Sequence, residues 1–297
     1  MNFNETLTFK VQNIERILKK FLPNEEGYQK TVLEAMNYSL LAGGKRLRPM
    51  LVQEVFEAFG GVGEVVEPFM AAIEMIHTYS LVHDDLPAMD NDEYRRGRKT
   101  THIVYGEAMG ILAGDGLLNY AFETALCAFD GASAEEYPRV ARALQVLARK
   151  AGVYGMIGGQ VCDIEAEESV EPITGEQLNF IHENKTAALI QASMMMGGIL
   201  AGADDEQVAR LEQSAYDLGI AFQIQDDILD VTSTFEELGK PIGSDAKNNK
   251  QTYVTIYGLE HAKDEVKRLS EEAISLVGLD SDSFLVKLFE SLIYRSK

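Results

Sequence analysis

The chain of 297 residues carries 47 acidic and 27 basic side chains, so its formal charge at pH 7 is −20, and 46% of its residues are hydrophobic. This length and composition are sufficient for one large buried core or two modest ones. The strongly acidic balance argues against nucleic acid or an anionic membrane surface as a partner.

Helical spacing of apolar residues is found along most of the chain. In segments 11–21 and 208–222 apolar residues recur every three or four positions, which is typical of amphipathic helices. No stretch alternates between polar and apolar residues beside hairpin turns, so strands are not expected. Capping-box patterns at Ser133–Glu136 and Thr174–Gln177 indicate helix starts. We predict an all-α fold in which roughly ten helices with short connections form one domain over residues 1–297.

The first basic segment is Gly-Gly-Lys-Arg-Leu-Arg-Pro at residues 43–49, at a junction between two predicted helices. It carries Lys45, Arg46 and Arg48, and the amides that begin the following helix add a positive dipole end. A second basic segment, residues 95–99, follows the first aspartate cluster. Either segment alone could be a solvated basic patch. In so acidic a protein, however, cations beside aspartates indicate phosphate binding, for which arginine is well suited.

The first aspartate cluster, Asp84, Asp85 and Asp90, follows an apolar helix. A residue that precedes proline resists the helical conformation. The helix that begins near residue 65 should therefore end or kink at Pro87, and Asp90 should return on a loop. His77 lies seven residues before Asp84, two turns along the same helix face. It could bind a ligand or be a packed core residue.

The second aspartate cluster, Asp226, Asp227 and Asp230, also lies beside apolar residues. On a helix Asp226 and Asp230 share one face, while Asp227 points about 100° away. A single acidic run is usually a solvated face, but two clusters of the same pattern in apolar, buried surroundings indicate a shared role. Six carboxylates that converge on one cavity would repel one another unless cations lay between them. Magnesium held jointly with substrate phosphates suits such ligands.

Several other polar residues accompany the two clusters. Lys185 and Thr186 bring a cation and a hydroxyl to the start of a long apolar run. In segment 158–163, Gly-Gly-Gln-Val-Cys-Asp, the glycines should let two helices approach closely, while its glutamine and aspartate could either support a site or simply pack. Lys240 and Lys250 flank a Gly- and Asn-rich loop for which we predict a mobile lid.

Neither the N-terminus nor the cysteines indicate export. The N-terminus lacks a basic segment followed by an apolar one, and Cys127 and Cys162 show no CxxC spacing, so a reduced cytoplasmic compartment is expected. The apolar run at residues 187–203 contains Gln191 and three glycines. A buried core helix is therefore predicted there, without stable membrane insertion.

The combination of carboxylates, cations and apolar helices suits a reaction that expels diphosphate from a hydrophobic chain. Magnesium neutralises such a leaving group, and apolar walls keep the resulting carbocation from water. No Ser/His/Asp triad, nucleophilic cysteine motif, GxGxxG or P-loop is present to offer a different reaction.

These motifs together resemble the trans-isoprenyl diphosphate synthases, in particular the bacterial short-chain farnesyl diphosphate synthase type. The match covers nearly the whole chain: GGKRLRP, HDDLPAMDND with RRGR, GGQxxD, KT, FQIQDDILD, GK and the SDxxNNK loop. The resemblance implies an isoprenoid synthase fold, a helical bundle around a central cavity, and a homodimer. It also implies three magnesium ions per active site, which manganese could replace. The implied reaction joins isopentenyl diphosphate to an allylic diphosphate through an allylic carbocation.

The resemblance also implies a role for individual residues. Asp84, Asp85 and Asp90 resemble the ligands of two magnesium ions, and Asp226, Asp227 and Asp230 those of the third. The isopentenyl diphosphate site would consist of Lys45, Arg48, His77 and Arg96. The allylic diphosphate would be bound by Arg95, Lys185, Gln223 and Lys240, with Lys250 as a further substrate-binding residue. Thr186 would face the developing cation, and the released diphosphate would take the final proton.

Two residues before the first cluster are expected to set the product length. Ser80 lies one turn before Asp84 on the predicted helix, and Tyr79 lies beside it. In the family that the sequence resembles, an aromatic residue at the fifth position before the motif accompanies a fifteen-carbon product. Farnesyl diphosphate is therefore expected, with geranylgeranyl diphosphate as the alternative.

Two rival functions are less compatible with the motifs. A class I terpene cyclase would have no need of the GGKRLRP site for a second diphosphate. A non-catalytic subunit of a heteromeric prenyl synthase would be expected to have lost aspartates, and all six are present.

Overall fold

Helices account for nearly all of the regular structure in the computed structural model, which describes residues 2–232 and 251–293. This confirms the predicted all-α class. There are more helical segments than the roughly ten expected, because several are only one or two turns long. The helices are α1 (Phe3–Lys20), α2 (Lys30–Leu40), α3 (Leu47–Ala58), α4 (Glu67–Asp84), α5 (Thr101–Tyr105), α6 (Glu107–Leu126), α7 (Ala128–Gly131), α8 (Tyr137–Ala151), α9 (Met156–Glu168), α10 (Gly175–Ile181), a π-helical turn (His182–Ala187), α11 (Ala188–Ala201), α12 (Asp205–Thr232), α13 (Tyr253–Tyr257), α14 (Leu259–Val277) and α15 (Phe284–Ile293).

By their contacts the residues divide into two compact units. The first unit is Met1–Leu144 with Ile199–Gly202, and the second is Gln145–Gly198 with Ala203–Lys297. The expectation of one domain over residues 1–297 stays a prediction.

The first unit is built on α4, which is buried along most of its length. It packs against α6 and α3, with α1 and α2 in further contact. As predicted from Pro87, α4 ends at Asp84. The chain then turns back, so that the backbone N–H of Asp90 donates to the carbonyl of Asp84 at 2.8 Å. This return places the third aspartate of the cluster beside the first.

A buried arginine fixes the segment 43–49 within this unit. Arg46 has a left-handed backbone conformation (φ 50°), and its side chain is buried. Its guanidinium pairs with Glu15 of α1 at 2.6 Å and with Glu74 of α4 at 2.7 Å, and it donates to the carbonyl of Leu40 at 2.8 Å. Arg46 is thus a structural cation.

The expectation that strands would be absent is wrong at one place. Strands β1 (Tyr94–Arg95) and β2 (Arg98–Lys99) form a short antiparallel hairpin. Arg96 and Gly97 at its tip both have positive φ, 53° and 73°, as a two-residue hairpin turn of the primed type requires. Strands of two residues are too short to show the alternation by which a strand is recognised in a sequence.

The second unit is built on α12, which packs against α14, the π-helical turn and α13. The segment 187–203 is confirmed as core, since α11 is almost entirely buried. No helix in the described part of the chain is long and apolar enough to cross a membrane. The capping box at Thr174 and Gln177 forms and starts α10.

One carboxylate inside the second unit is not compensated. Asp217 of α12 is 2% exposed. Its Oδ1 accepts from Gln213 Nε2 at 3.0 Å, while Oδ2 has no hydrogen-bond partner within residues 2–232 and 251–293. Burial raises the pKa of Asp217 to about 6; Gln213 opposes the shift, Glu272 and Glu265 on α14 strengthen it, and Arg268 on the same helix opposes it. The charged form of Asp217 therefore destabilises the folded protein.

We predict that Asp217→Asn stabilises the protein at pH 8 but not at pH 4. A folded-state pKa above the unfolded value means that the folded protein binds more protons between about pH 4 and 6, so the stability contribution of Asp217 falls as the pH rises through that window. Removing the charge should raise the free energy of unfolding by about 2 kcal/mol at pH 8. Urea titrations at both pH values measure it.

Asp264→Asn is the matched control for this prediction, because Asp264 lies exposed on α14. It should show no gain that depends on pH. An equal gain for Asp217→Asn at pH 4 and pH 8 would contradict the assigned cause.

Candidate active site

The first aspartate cluster lies where α4 ends, and its three members differ in environment. Asp85 is buried, Asp84 is half-buried and Asp90 is exposed, so the expected buried surroundings hold for only one of them. Arg95 on β1 donates from both Nε and Nη2 to Asp85 Oδ1, at 2.7 Å each. Burial raises the pKa of Asp85, and the bond from Arg95 opposes that shift. The hairpin is therefore attached to the cluster through a charged hydrogen bond.

The tip of the hairpin is held by the segment 43–49. Arg96 Nη1 donates to the carbonyl of Gly43. Gly44 has φ 131°, and a Cβ there would lie 2.6 Å from Arg96 Nη1. Gly43 also has a positive φ of 80°, and these two backbone conformations favour glycine at both positions. The two basic segments are far apart in sequence but form one structural group.

Arg48, His77 and Arg96 act on one another electrostatically and form a group of basic side chains, called the basic cluster below. Arg48 is half-buried, and its Nε is a buried donor with no partner in the described part of the chain. Burial and the charge of Arg96 lower the pKa of Arg48 to about 10, with Glu74 opposing. Burial, followed by the charges of Arg48 and Arg96, holds the pKa of His77 well below its usual value, so this imidazole is neutral at pH 7. A phosphate oxygen would supply the missing acceptor and counter-charge.

The other predicted cations have different surroundings. Lys45 is exposed. Arg98 lies over the ring of Tyr38, 4.3 Å from its centroid, and donates to the carbonyl of Leu41 at 3.4 Å. The three arginines of segment 95–99 therefore have different environments. Arg95 contacts Asp85, Arg96 belongs to the basic cluster, and Arg98 packs on the ring of Tyr38.

The two residues expected to set product length lie on α4. Tyr79 is 5% exposed, and its buried hydroxyl has no hydrogen-bond partner among the described residues. Burial, strengthened by the charge of Asp84, raises the pKa of Tyr79 to about 12. Ser80 is half-buried and donates to the carbonyl of His77 at 2.9 Å.

In the second unit, Lys185 and Thr186 lie in the π-helical turn His182–Ala187. Single π turns inside helices occur frequently at functional sites. Lys185 Nζ pairs with Asp163 Oδ2 of α9 at 2.5 Å. A Cβ on Gly159 would lie 2.1 Å from the backbone N of Lys185. The role of Asp163, which the sequence leaves open, is thus to hold the lysine, and the glycine gives α9 the close approach that this pair needs.

The second aspartate cluster lies on the last turns of α12. Gln223, one turn before it, accepts at Oε1 from the Thr186 hydroxyl at 2.7 Å. Asp226 is exposed, and Asp227 and Asp230 are half-buried. Asp227 Oδ2 accepts from the backbone N–H of Tyr253 at 2.7 Å, at the start of α13. One oxygen of Asp227 is therefore already engaged in connecting two helices.

The fit of these residues to magnesium follows from their chemistry. The carboxylates are hard oxygen donors, as magnesium prefers. Within residues 2–232 and 251–293 no group of three or more Asp, Glu, His or Cys side chains is arranged so that it could hold a metal ion. The convergence of the two clusters on one cavity stays a prediction, and Lys240, Lys250 and the predicted lid lie outside the described residues.

The sequence of this chain is similar to those of known proteins. The family model for polyprenyl synthetase matches residues 29–286. The chain is 45% identical over 266 residues to a farnesyl diphosphate synthase from Geobacillus stearothermophilus, covering 90% of this chain and 88% of that one. It is 44% identical over 277 residues to a geranylgeranyl diphosphate synthase from Cyanophora paradoxa, covering 92% and 89%.

A solved structure shows the same fold. The geranyltransferase from Helicobacter pylori, complexed with magnesium and isoprenyl diphosphate, superposes with a TM-score of 0.78 at 33% sequence identity. The match covers 97% of this chain and 96% of that one. The predicted isoprenoid synthase fold is thereby confirmed.

Proposed function

This chain belongs to the polyprenyl synthetase family, and we propose that it makes farnesyl diphosphate by adding isopentenyl diphosphate to dimethylallyl and then geranyl diphosphate. It is a prenyltransferase. In each condensation the bond between the allylic carbon and its diphosphate breaks. The π electrons of the isopentenyl double bond form the new carbon–carbon bond, and the released diphosphate takes the proton that is lost.

The basic cluster carries the proposal, because it supports a site for a diphosphate that is not cleaved. Arg48 has a buried donor for which residues 2–232 and 251–293 supply no acceptor, and Arg96 is held by Gly43, with Gly44 in close contact. Neutral His77 can donate a hydrogen bond without adding repulsion to the two arginines. With exposed Lys45 these residues would bind isopentenyl diphosphate.

The allylic substrate would be bound by a different set of residues. Lys185, oriented by Asp163, and Arg95, oriented by Asp85, offer cations in fixed directions. Thr186 donates its only hydroxyl proton to Gln223. The lone pairs of the Thr186 oxygen are then available to a developing carbocation. Gln223 itself, with Lys240 and Lys250, would complete the contacts to the allylic diphosphate.

Magnesium is the proposed cofactor, with three ions per active site and manganese as a substitute. Asp84, Asp85 and Asp90 would hold two ions, and Asp226, Asp227 and Asp230 the third. When bound, magnesium neutralises the charge of the leaving diphosphate. The backbone of Asp90 returns to that of Asp84, which supports a shared role for these two aspartates.

We also propose a cytoplasmic homodimer. Both cysteines are free thiols, which suits a reducing compartment. Apolar side chains on α5 and α6 remain exposed in the single chain, with Ile111 42% and Leu112 48% exposed, and Ile103 and Val104 beside them on α5. A second copy of this chain would bury that face.

Geranylgeranyl diphosphate is the alternative product, since relatives of both kinds are similar to this chain. A terpene cyclase or a non-catalytic subunit is less consistent with the basic cluster and with six intact aspartates. Incubation of the purified protein alone with both substrates and magnesium tests the proposal. Absence of any prenyl diphosphate product would refute it.

The first prediction from this proposal concerns the aspartates. Asp84→Ala and Asp226→Ala should each lower kcat by about 10³-fold, because loss of part of the leaving-group stabilisation removes several kcal/mol. Excess EDTA should abolish turnover, and added magnesium should restore it. The exposed Asp264→Ala variant is the control and should retain full activity. Unchanged turnover of Asp84→Ala would contradict the metal assignment.

The second prediction separates the two diphosphate sites. Arg48→Ala should raise KM for isopentenyl diphosphate about 10- to 100-fold, as expected for the loss of a charged hydrogen bond. Lys185→Ala should act mainly on the allylic substrate. Steady-state kinetics with each substrate varied in turn measure both effects.

Arg98→Gln serves as the control, since Arg98 lies in the same basic run but packs on Tyr38. It should leave both KM values unchanged. Equal effects of Arg48→Ala on both substrates would argue against separate sites.

The third prediction concerns product length. If the growing chain runs along α4 from the aspartates, the Tyr79 ring blocks it and Ser80 leaves room. Tyr79→Ala should then give products of twenty carbons or more, and Ser80→Phe should stop the reaction at ten. Chromatography of the dephosphorylated prenyl alcohols measures the lengths. Unchanged products in both variants would show that this face of α4 does not set the limit.

A further inference from the structure

The Tyr79 ring is held in place by neighbouring side chains, and one of them is a candidate for a further specificity residue. The hydroxyl of Tyr79 makes no hydrogen bond among the described residues, so contacts of the ring must hold the side chain in place. One of these is with His83, one turn further along α4. The two rings meet edge to face, with centroids 5.8 Å apart and planes at 81°, a favourable aromatic geometry.

His83 is in turn fixed by α6. Its Nε2 lies 3.1 Å from the carbonyl of Ile111. Because a carbonyl can only accept, Nε2 carries the hydrogen and donates it. This bond crosses from one helix to the next and sets the orientation of the imidazole.

The imidazole occupies a space that exists only because residue 114 is glycine. Gly114 is buried on α6. A Cβ there would lie 2.0 Å from His83 Nε2 and 2.2 Å from Cδ2. Any side chain at position 114 would therefore displace the ring. The His83 side chain is 28% exposed in the single chain, so the imidazole is not enclosed on every side and can be displaced.

We infer that His83, seated against Gly114, is a positioning residue that holds the Tyr79 ring and thereby limits product length. The inference rests on the proposed function and adds residues on α4 and α6 to its specificity. His83 acts by packing: it contacts the tyrosine ring, and the substrate chain contacts the tyrosine.

The test is the product distribution of variants of the full-length protein. His83→Ala should raise the proportion of products longer than fifteen carbons by about tenfold, as expected for a change of shape in a hydrophobic pocket. Gly114→Ala should do the same, although it changes no residue of α4. His83→Phe, which keeps a ring at this position, should restore a distribution nearer to that of the unaltered protein. Asn119→Ala, exposed on α6, is the control and should change nothing.

A double-mutant comparison shows whether His83 acts through Tyr79. In the Tyr79→Ala background, His83→Ala should cause no further lengthening, because the ring that it positions is gone. Equal lengthening in both backgrounds would overturn the inference. So would normal product lengths in both His83→Ala and Gly114→Ala.

The experiments also distinguish a failure of the positioning role of His83 from a failure of the proposed function. If Tyr79→Ala lengthens the products while His83→Ala and Gly114→Ala do not, only the positioning role fails. If the unaltered protein yields no prenyl diphosphate, or if Tyr79→Ala has no effect, the proposed function or its length-setting site fails, and the positioning role fails with it. Should His83→Ala be inactive because Asp84 follows it, Gly114→Ala alone decides.

Discussion

The buried pairing of Arg46 with Glu15 and Glu74 is the constraint on which the first unit depends. It ties the segment 43–49 to α1 and α4, and Arg46 itself has a left-handed backbone conformation. Removing Arg46 would leave the buried Glu74 carboxylate without its counter-charge, at a cost of about 3–5 kcal/mol. The segment can therefore present Arg48 and the Gly43 carbonyl at fixed positions.

The arginines of the first unit fall into two groups. Structural charges are satisfied within the protein, as Arg46 is by its two carboxylates and Arg98 by the ring of Tyr38. The basic cluster is not, because the buried Nε of Arg48 has no hydrogen-bond partner among the residues that the structure describes. Such a group raises the free energy of the unliganded protein, and an anionic substrate lowers it again. Binding of the anion would therefore also compensate the charge of the basic cluster.

Local departures from regular helix occur beside the residues proposed to bind substrate. The π-helical turn presents Lys185 and Thr186 in consecutive positions, and the hairpin presents Arg96 at a positive φ. A glycine lies close against each of these features: Gly159 against the π-helical turn and Gly44 against the side chain of Arg96. Strained or unusual backbone persists where the surrounding structure fixes it, and it is frequent at functional sites.

The sequence by itself determined the helical class, the end of α4 before Pro87 and the buried character of residues 187–203. Each of these depends on apolar periodicity or on the stereochemistry around proline, which act over a few neighbouring residues. Its motifs likewise indicated the family. The tertiary structure decided which cations are structural, how Asp163 is used and why Gly114 is required. These depend on partners distant in sequence, such as Glu74 for Arg46 and Lys185 for Asp163, and no local pattern encodes which distant side chains will meet.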